Sequence, residues 1–179
     1  VFVAVPLVLE TIYKKIRKGI KDQGKEKLVN AMSKIANFLL IFHIDIRRKV
    51  FKSVLDQMGG KLRIAYFGAA SMDKAAIEGY NNFGIATVQG YGLTETSPLL
   101  AAETDKQKCP GSVGMAPYNI ELKLEDVDEN GIGEILAKGP NIMLGYYENP
   151  EATEEAMKDG WFHTGDLGYF DKDGYLFIS

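Results

Sequence analysis

The strongest constraint on the fold is a change of texture at residue 61. From there Leu62 to Phe67 reads as a strand, Gly68-Ala69-Ala70-Ser71 as a tight loop, Asp73 to Tyr80 as a helix and Ile85 to Gln89 as a second strand. Strand, loop, helix and strand with connections this short predict a parallel α/β sheet, because parallel neighbours need a crossover segment. From Gly111 onward the period drops to two. Ile120, Leu122 and Leu124 alternate with Glu121, Lys123 and Glu125, and Glu134 to Lys138 returns as a strand after the turn signal Asn130-Gly131. A short helix is predicted at Pro150 to Met157 with Asn149 as its N-cap, and Asp171-Lys172-Asp173-Gly174 turns a last hairpin. The expected fold class is therefore α/β: a parallel-sheet part with extra helices at residues 1–104, then a β-rich, barrel-like part at 105–179. The compositional break at residues 104–111 separates them.

The first sixty residues supply the extra helices. Val1 to Val5 reads as a short buried strand, and Pro6 suits the first position of a helix, where its missing N–H costs nothing. Val8, Leu9, Ile12, Tyr13 and Ile16 follow helical spacing, with Gly19 as the stop. Leu28, Met32, Ile35, Leu39 and Phe42 form a second apolar stripe, and Ile46, Val50, Val54 and Met58 a third, ending at Gly59-Gly60. These helices form an insert at about residues 25–58. The chain opens and closes on strand-like residues, which predicts a piece of a longer protein whose open sheet edges invite self-association.

Composition narrows the functional classes. The net charge of −3, without a concentrated basic block, argues against nucleic acid as a partner. No apolar run is long enough for a transmembrane segment. Cys109 is the sole cysteine and the chain has two histidines, which leaves no internal disulfide and too few ligands for structural zinc; a cytoplasmic location is expected. The run Asp126-x-Asp128-x-Asn130-Gly131 imitates the start of a calcium loop, but Ala137 stands where a bidentate Glu is needed, so the hairpin reading is preferred. There is no Walker motif, no dinucleotide fingerprint and no nucleophile elbow.

The stretch Gln89-Gly90-Tyr91-Gly92-Leu93-Thr94-Glu95-Thr96-Ser97 carries the most chemistry. Its glycines permit close approach of a ligand, Tyr91 offers a flat face, Thr94 a hydroxyl for a phosphate and Glu95 a hard oxygen ligand for magnesium. Gly68-Ala69-Ala70 and Gly90-Tyr91-Gly92 both fall at the carboxyl ends of predicted strands, where parallel-sheet ligands bind.

Gln89 to Glu95 resembles the Tyr-Gly-x-Thr-Glu motif of the adenylate-forming, AMP-binding superfamily. Gly68-Ala69-Ala70-Ser71-Met72 is similar to its Gly-Gly-Ala-Pro-Leu loop, with Ala at the second position and no Pro. Gly133-Glu134-Ile135, the segment Pro140 to Tyr147, and Trp161-Phe162-His163-Thr164-Gly165-Asp166-Leu167-Gly168 resemble further segments in the family's order. Val5 to Tyr13 resembles a segment of the long-chain fatty acyl-CoA synthetases, with Leu7 and Leu9 where Arg and Trp are common. The resemblance implies an AMP-forming acid–thiol ligase that activates a fatty acid as an acyl-adenylate, using ATP and Mg2+, and passes it to coenzyme A. The alternatives are another adenylate-forming ligase, such as an aryl-CoA ligase or a peptide-synthetase adenylation domain, or a non-catalytic nucleotide-binding homologue.

The same resemblance implies roles by position. The backbone of Gly68, Ala69 and Ala70 would line the adenine pocket, and Gln89, Gly90 and Gly92 would also bind the nucleotide. Tyr91 would stack on adenine, Thr94 would hold the α-phosphate, Glu95 would bind magnesium, and Asp166 would accept both ribose hydroxyls. His163 reads as a structural histidine and Trp161 as core. Phe38, Leu39, Ile41 and Phe42 could wall an acyl tunnel, with ordinary helix packing as the alternative. The phosphate loop would precede Val1, and a ribose-binding Arg and the catalytic Lys would follow Ser179. The 179-residue chain alone is thus expected to be inactive, and the full-length enzyme to make peripheral membrane contact.

Overall fold

The computed structural model of the chain describes residues 1–68, 70 and 72–179. They form two compact units, Val1–Val88 and Gln89–Ser179. This division falls earlier than the compositional break, because residues 89–104 bond within the second unit. The Glu103 amide donates to the Gln89 carbonyl at 2.9 Å and the Leu100 amide to the Tyr91 carbonyl at 2.8 Å.

The first unit begins with strand β1 (Phe2–Ala4), which pairs in parallel with β2 (Ile64–Phe67) in the register Phe2 to Ala65 and Ala4 to Phe67. Strand β3 (Ala86–Tyr91) lies on the other side of β2. The parallel α/β expectation holds, with one correction. β1 sits at the sheet edge, and Val1 and Val3 are 80% and 75% exposed rather than buried.

Helix α1 (Pro6–Asp22) starts on Pro6 as expected but runs through Gly19. A glycine inside a helix costs only about 1 kcal/mol, and buried Leu9, Ile16 and Ile20 outweigh it. In α2 (Glu26–Leu40) Val29, Met32 and Ala36 are the residues turned to the core, so of the stripe read from spacing Met32 packs inward while Leu39 is half-buried. Leu28, Ile35 and Phe42 are exposed, and small Ala36 is fully buried. The third stripe is two short helices, α3 (Arg47–Val50) and α4 (Lys52–Asp56), interrupted at Phe51. Phe51 is buried and meets Phe83 edge-on at 5.2 Å between centroids. Helix α5 (Lys74–Asn82) is capped by Asp73, whose carboxylate accepts the Ala75 amide at 2.7 Å. Tyr80 is fully buried and donates to the Leu9 carbonyl at 2.7 Å, which fixes α5 on α1.

In the second unit the end of β3 pairs antiparallel with β4 (Ala101–Ala102). An antiparallel sheet follows in the order β5 (Glu121–Glu125), β6 (Gly133–Lys138), β8 (Trp161–Phe170), β7 (Met157–Lys158), with β9 (Leu176–Ile178) also on β8. Helix α6 (Pro150–Ala156) is capped by Asn149, which accepts the Ala152 amide at 3.1 Å. The β5–β6 connection is the expected hairpin. Asp128 accepts the amides of Asn130 and Ile132 at 2.8 and 2.9 Å, and those bonds hold its carboxyl below the usual range, the Ile132 amide most of all. Trp161 is not core. Strand alternation turns neighbouring Phe162 inward and leaves Trp161 half-buried, with the Lys123 ammonium 4.8 Å from its ring centroid. Among the described residues no helix is long and apolar enough to cross a membrane.

Candidate functional site

Strand β3 ends in Gly90 and Tyr91, which pair with Ala102 and Ala101. The chain between them forms a narrow loop whose first turn, Thr94–Thr96, is a 3-10 helix. Thr96 is fully buried, and its hydroxyl both accepts the Leu93 amide and donates to the Leu93 carbonyl, each at 2.9 Å. The need for glycine at 92 is internal to this loop. A Cβ there would stand 1.9 Å from the Pro98 carbonyl oxygen and 3.0 Å from the Leu100 nitrogen. Gly92 is therefore required by the loop's own return path, and not only, as expected from sequence, by the approach of a ligand.

Three side chains named from sequence lie on or beside this loop. Tyr91 donates its hydroxyl to Asp166 Oδ2 at 2.7 Å, which joins two motifs 75 positions apart. Desolvation first, and then the Asp166 carboxylate, push the phenol far above its usual range, so it stays a donor. The bond uses one of the two acceptor oxygens of Asp166. Glu95 is half-buried and accepts the Tyr146 hydroxyl at 3.1 Å, while its carbonyl accepts the Met143 amide at 2.7 Å. Thr94 is exposed, and its hydroxyl has no hydrogen-bond partner among the described residues. Gln89 is tied through its backbone to Glu103, whose carboxylate accepts the Gln89 amide at 3.1 Å. Gly68 and Ala70 belong to the first unit, directly after β2, and Ala69 and Ser71 lie outside the described residues.

The bend that delivers Asp166 is a bulge in β8. Leu136 pairs with His163 and Glu134 with Leu167, so Thr164, Gly165 and Asp166 stand opposite Ile135 alone. Bulges recur next to functional sites because they re-aim a side chain. His163 lies just before the bulge, its Nδ1 3.0 Å from Glu134 Oε2 and its Nε2 3.9 Å from Glu125 Oε2. The Nδ1 bond to Glu134 agrees with the structural reading of this residue.

Sequence reasoning gave no role to Asn141, Tyr146 or Glu134. Asn141 donates its amide to the carbonyls of Thr96 at 2.6 Å and Leu99 at 2.8 Å, stapling both limbs of the motif loop. The signal was present, since Asn141 and Tyr146 fall in the segment matched to the family and Glu134 in the Gly-Glu-Ile match, but spacing does not say which side chains reach back to Glu95 or Gly165.

A magnesium ion is compatible with these residues. Among the described residues no cationic side chain forms an ion pair with Glu95, and no cluster of three or more His, Cys, Asp or Glu exists. One carboxylate is the usual protein share for a magnesium that takes its remaining ligands from water and phosphate oxygens.

A family model described as AMP-binding enzyme matches residues 1–147. The long-chain-fatty-acid–CoA ligase of Salmonella typhimurium is 45% identical over 97 residues, 51% of this chain and 17% of the relative. Long chain acyl-CoA synthetase 1 of Arabidopsis thaliana is 33% identical over 204 residues, covering 97% of this chain and 29% of the relative. Among solved structures, an o-succinylbenzoate CoA synthetase from Bacillus subtilis bound with a product analogue superimposes with a TM-score of 0.62 at 30% identity, over 72% of this chain and 28% of that one. The same synthetase has been solved with AMP and with ATP and magnesium ion. The chain thus spans less than a third of the length of each of these relatives. With its motifs in order, the expected α/β fold class and a family match over most of its length, the chain belongs to the AMP-binding enzyme family.

Proposed function

We propose that these residues are the interior part of an AMP-forming acid–thiol ligase, and that the second unit carries half of its nucleotide site. The observation behind this reading is the Tyr91–Asp166 hydrogen bond of 2.7 Å, which sets an aromatic face beside a carboxylate. In the proposed complex, adenine stacks on Tyr91 and the ribose hydroxyls donate to Asp166. Within the second unit, Gln89, Gly90 and Gly92 would bind the nucleotide and the exposed Thr94 hydroxyl would donate to the α-phosphate; the adenine role of Gly68, Ala69 and Ala70 rests on the sequence resemblance alone. Glu95 would hold magnesium, which supplies charge neutralisation as a carboxylate attacks the α-phosphate. The Tyr146 hydroxyl donates to one oxygen of Glu95 and so helps to fix its carboxylate. Acyl-adenylate and pyrophosphate are the first products, and coenzyme A then displaces AMP.

A fatty acid is the acid favoured by one feature of the first unit. Phe38, Ile41 and Phe42 are 59%, 70% and 60% exposed, so the chain's own core does not use them. An apolar face of this kind suits an acyl chain better than the shorter aromatic acid of the Bacillus relative. The test is Glu95→Gln in the full-length enzyme, read by ATP–pyrophosphate exchange. Loss of this one charge should cost about 2–4 kcal/mol of transition-state stabilisation. Undiminished exchange would refute the magnesium role.

A further inference from the structure

We propose that Glu134 is a positioning residue, which sets the β8 bulge and through it aims Asp166; the inference rests on the ribose-binding reading of Asp166. A bulge takes backbone groups out of the sheet ladder, and each must find another partner. At this bulge the partners are specific side chains. The Gly165 amide donates to Glu134 Oε1 at 3.0 Å. The Thr164 hydroxyl donates to the Ile135 carbonyl at 2.7 Å and accepts the Asp166 amide at 3.1 Å. Gly165 has φ +73°, and a Cβ added to it would meet nothing within 4 Å, so it is the left-handed backbone, not space, that requires glycine.

Glu134 is itself held at both oxygens. Oε1 takes the Gly165 amide and Oε2 lies 3.0 Å from His163 Nδ1, with the Glu134 side chain 26% exposed and His163 18% exposed. A carboxylate gripped at both ends loses the rotamer freedom that would let the bulge relax. Thr164 cannot do this alone, because its hydroxyl bridges Ile135 and Asp166 and leaves the Gly165 amide without a partner. The path runs from Glu134 on β6 to Gly165, then to Asp166, whose carboxylate accepts the Tyr91 hydroxyl at 2.7 Å. Glu134 touches no proposed nucleotide atom. His163, outside the proposed chemistry, acquires a task as the group that orients Glu134.

The reach of the side chain, rather than its charge, is what this geometry uses. Glu134→Gln keeps an oxygen for the Gly165 amide and offers an N–H to a neutral His163 Nδ1. Glu134→Asp keeps the charge but withdraws the carboxylate by one methylene, and Glu134→Ala removes it. The experiment measures kcat/KM with ATP and with 2′-deoxy-ATP for the full-length enzyme, beside its Tm. Asp166→Ala should abolish the preference for ATP. Glu134→Ala and Glu134→Asp should each lose about tenfold of it, one charged hydrogen bond's worth, and Glu134→Gln should retain it. A general loss of stability would lower Tm without moving this ratio. If Glu134→Ala does not fold, the Gln and Asp variants still decide. Asp retaining the preference while Gln loses it would assign the effect to charge and overturn the proposal. So would an unchanged preference in both Asp and Ala variants while Asp166→Ala has lost it. An unchanged preference in Asp166→Ala would instead overturn the ribose assignment.

Discussion

Gly92→Ala probes how the motif loop is built. Gly92 is not among the glycines with positive φ, so an alanine there meets no backbone strain and its whole cost is steric. The new Cβ would lie 1.9 Å from the Pro98 carbonyl oxygen, about 1 Å or more inside an ordinary contact, and 2.8 Å from the carbonyl carbon. The obstacle is backbone, which cannot swing aside as a side chain can. It is also pinned, because the Leu100 amide donates to the Tyr91 carbonyl at 2.8 Å and Asn141 holds the Leu99 carbonyl at 2.8 Å. Overfilling a packed site costs about 1–3 kcal/mol, and a pinned backbone puts this case at the upper end. For a chain of this size that lowers Tm by about 5–10 °C. Gly131→Ala is the natural reference. Gly131 has φ +81° and nothing within 4 Å, so alanine there costs only left-handed strain, roughly 1–2 kcal/mol. Differential scanning calorimetry of the variants beside the parent measures both. A Gly92→Ala protein melting within about 1 °C of the parent, or less destabilised than Gly131→Ala, would refute the loop as described.

Two further outcomes are expected. Phe42→Trp in the full-length enzyme should shift preference toward shorter acids with ATP affinity unchanged; Phe42 is 60% exposed, so stability should move by no more than about 0.5 kcal/mol, and a uniform loss across chain lengths would remove the acyl-face reading. The carboxyl of Asp128 is held below its ordinary value of 3.8, so its contribution to the β5–β6 hairpin is full above that value and is lost as pH falls through the lower folded value. Asp128→Ala should therefore flatten the acid limb of the stability curve, and an unchanged limb by pH-dependent calorimetry would contradict the bonds described.

The amino-acid sequence by itself determined the order of the elements and the chemistry of the motifs. Period-two alternation at Ile120–Leu124, the Asn149 cap and the Asn130-Gly131 turn are local signals, set by interactions within a few residues, and the folded chain keeps all of them. The motifs in Gln89–Glu95 and Trp161–Gly168 likewise carried the resemblance to the AMP-binding family, which the family match bears out. What spacing could not decide was which of two apolar faces of α2 packs. Leu28 and Ile35 are as apolar as Val29 and Met32, yet only the latter two pack against the core. Nor could it decide that β8 bulges opposite Ile135, since a bulge exists only against a partner strand. The pairings Tyr91 with Asp166, Tyr146 with Glu95 and Glu134 with Gly165 span 75, 51 and 31 positions. Contacts at such separation depend on the register of whole strands, which is a property of the packed sheet and not of any short stretch of chain.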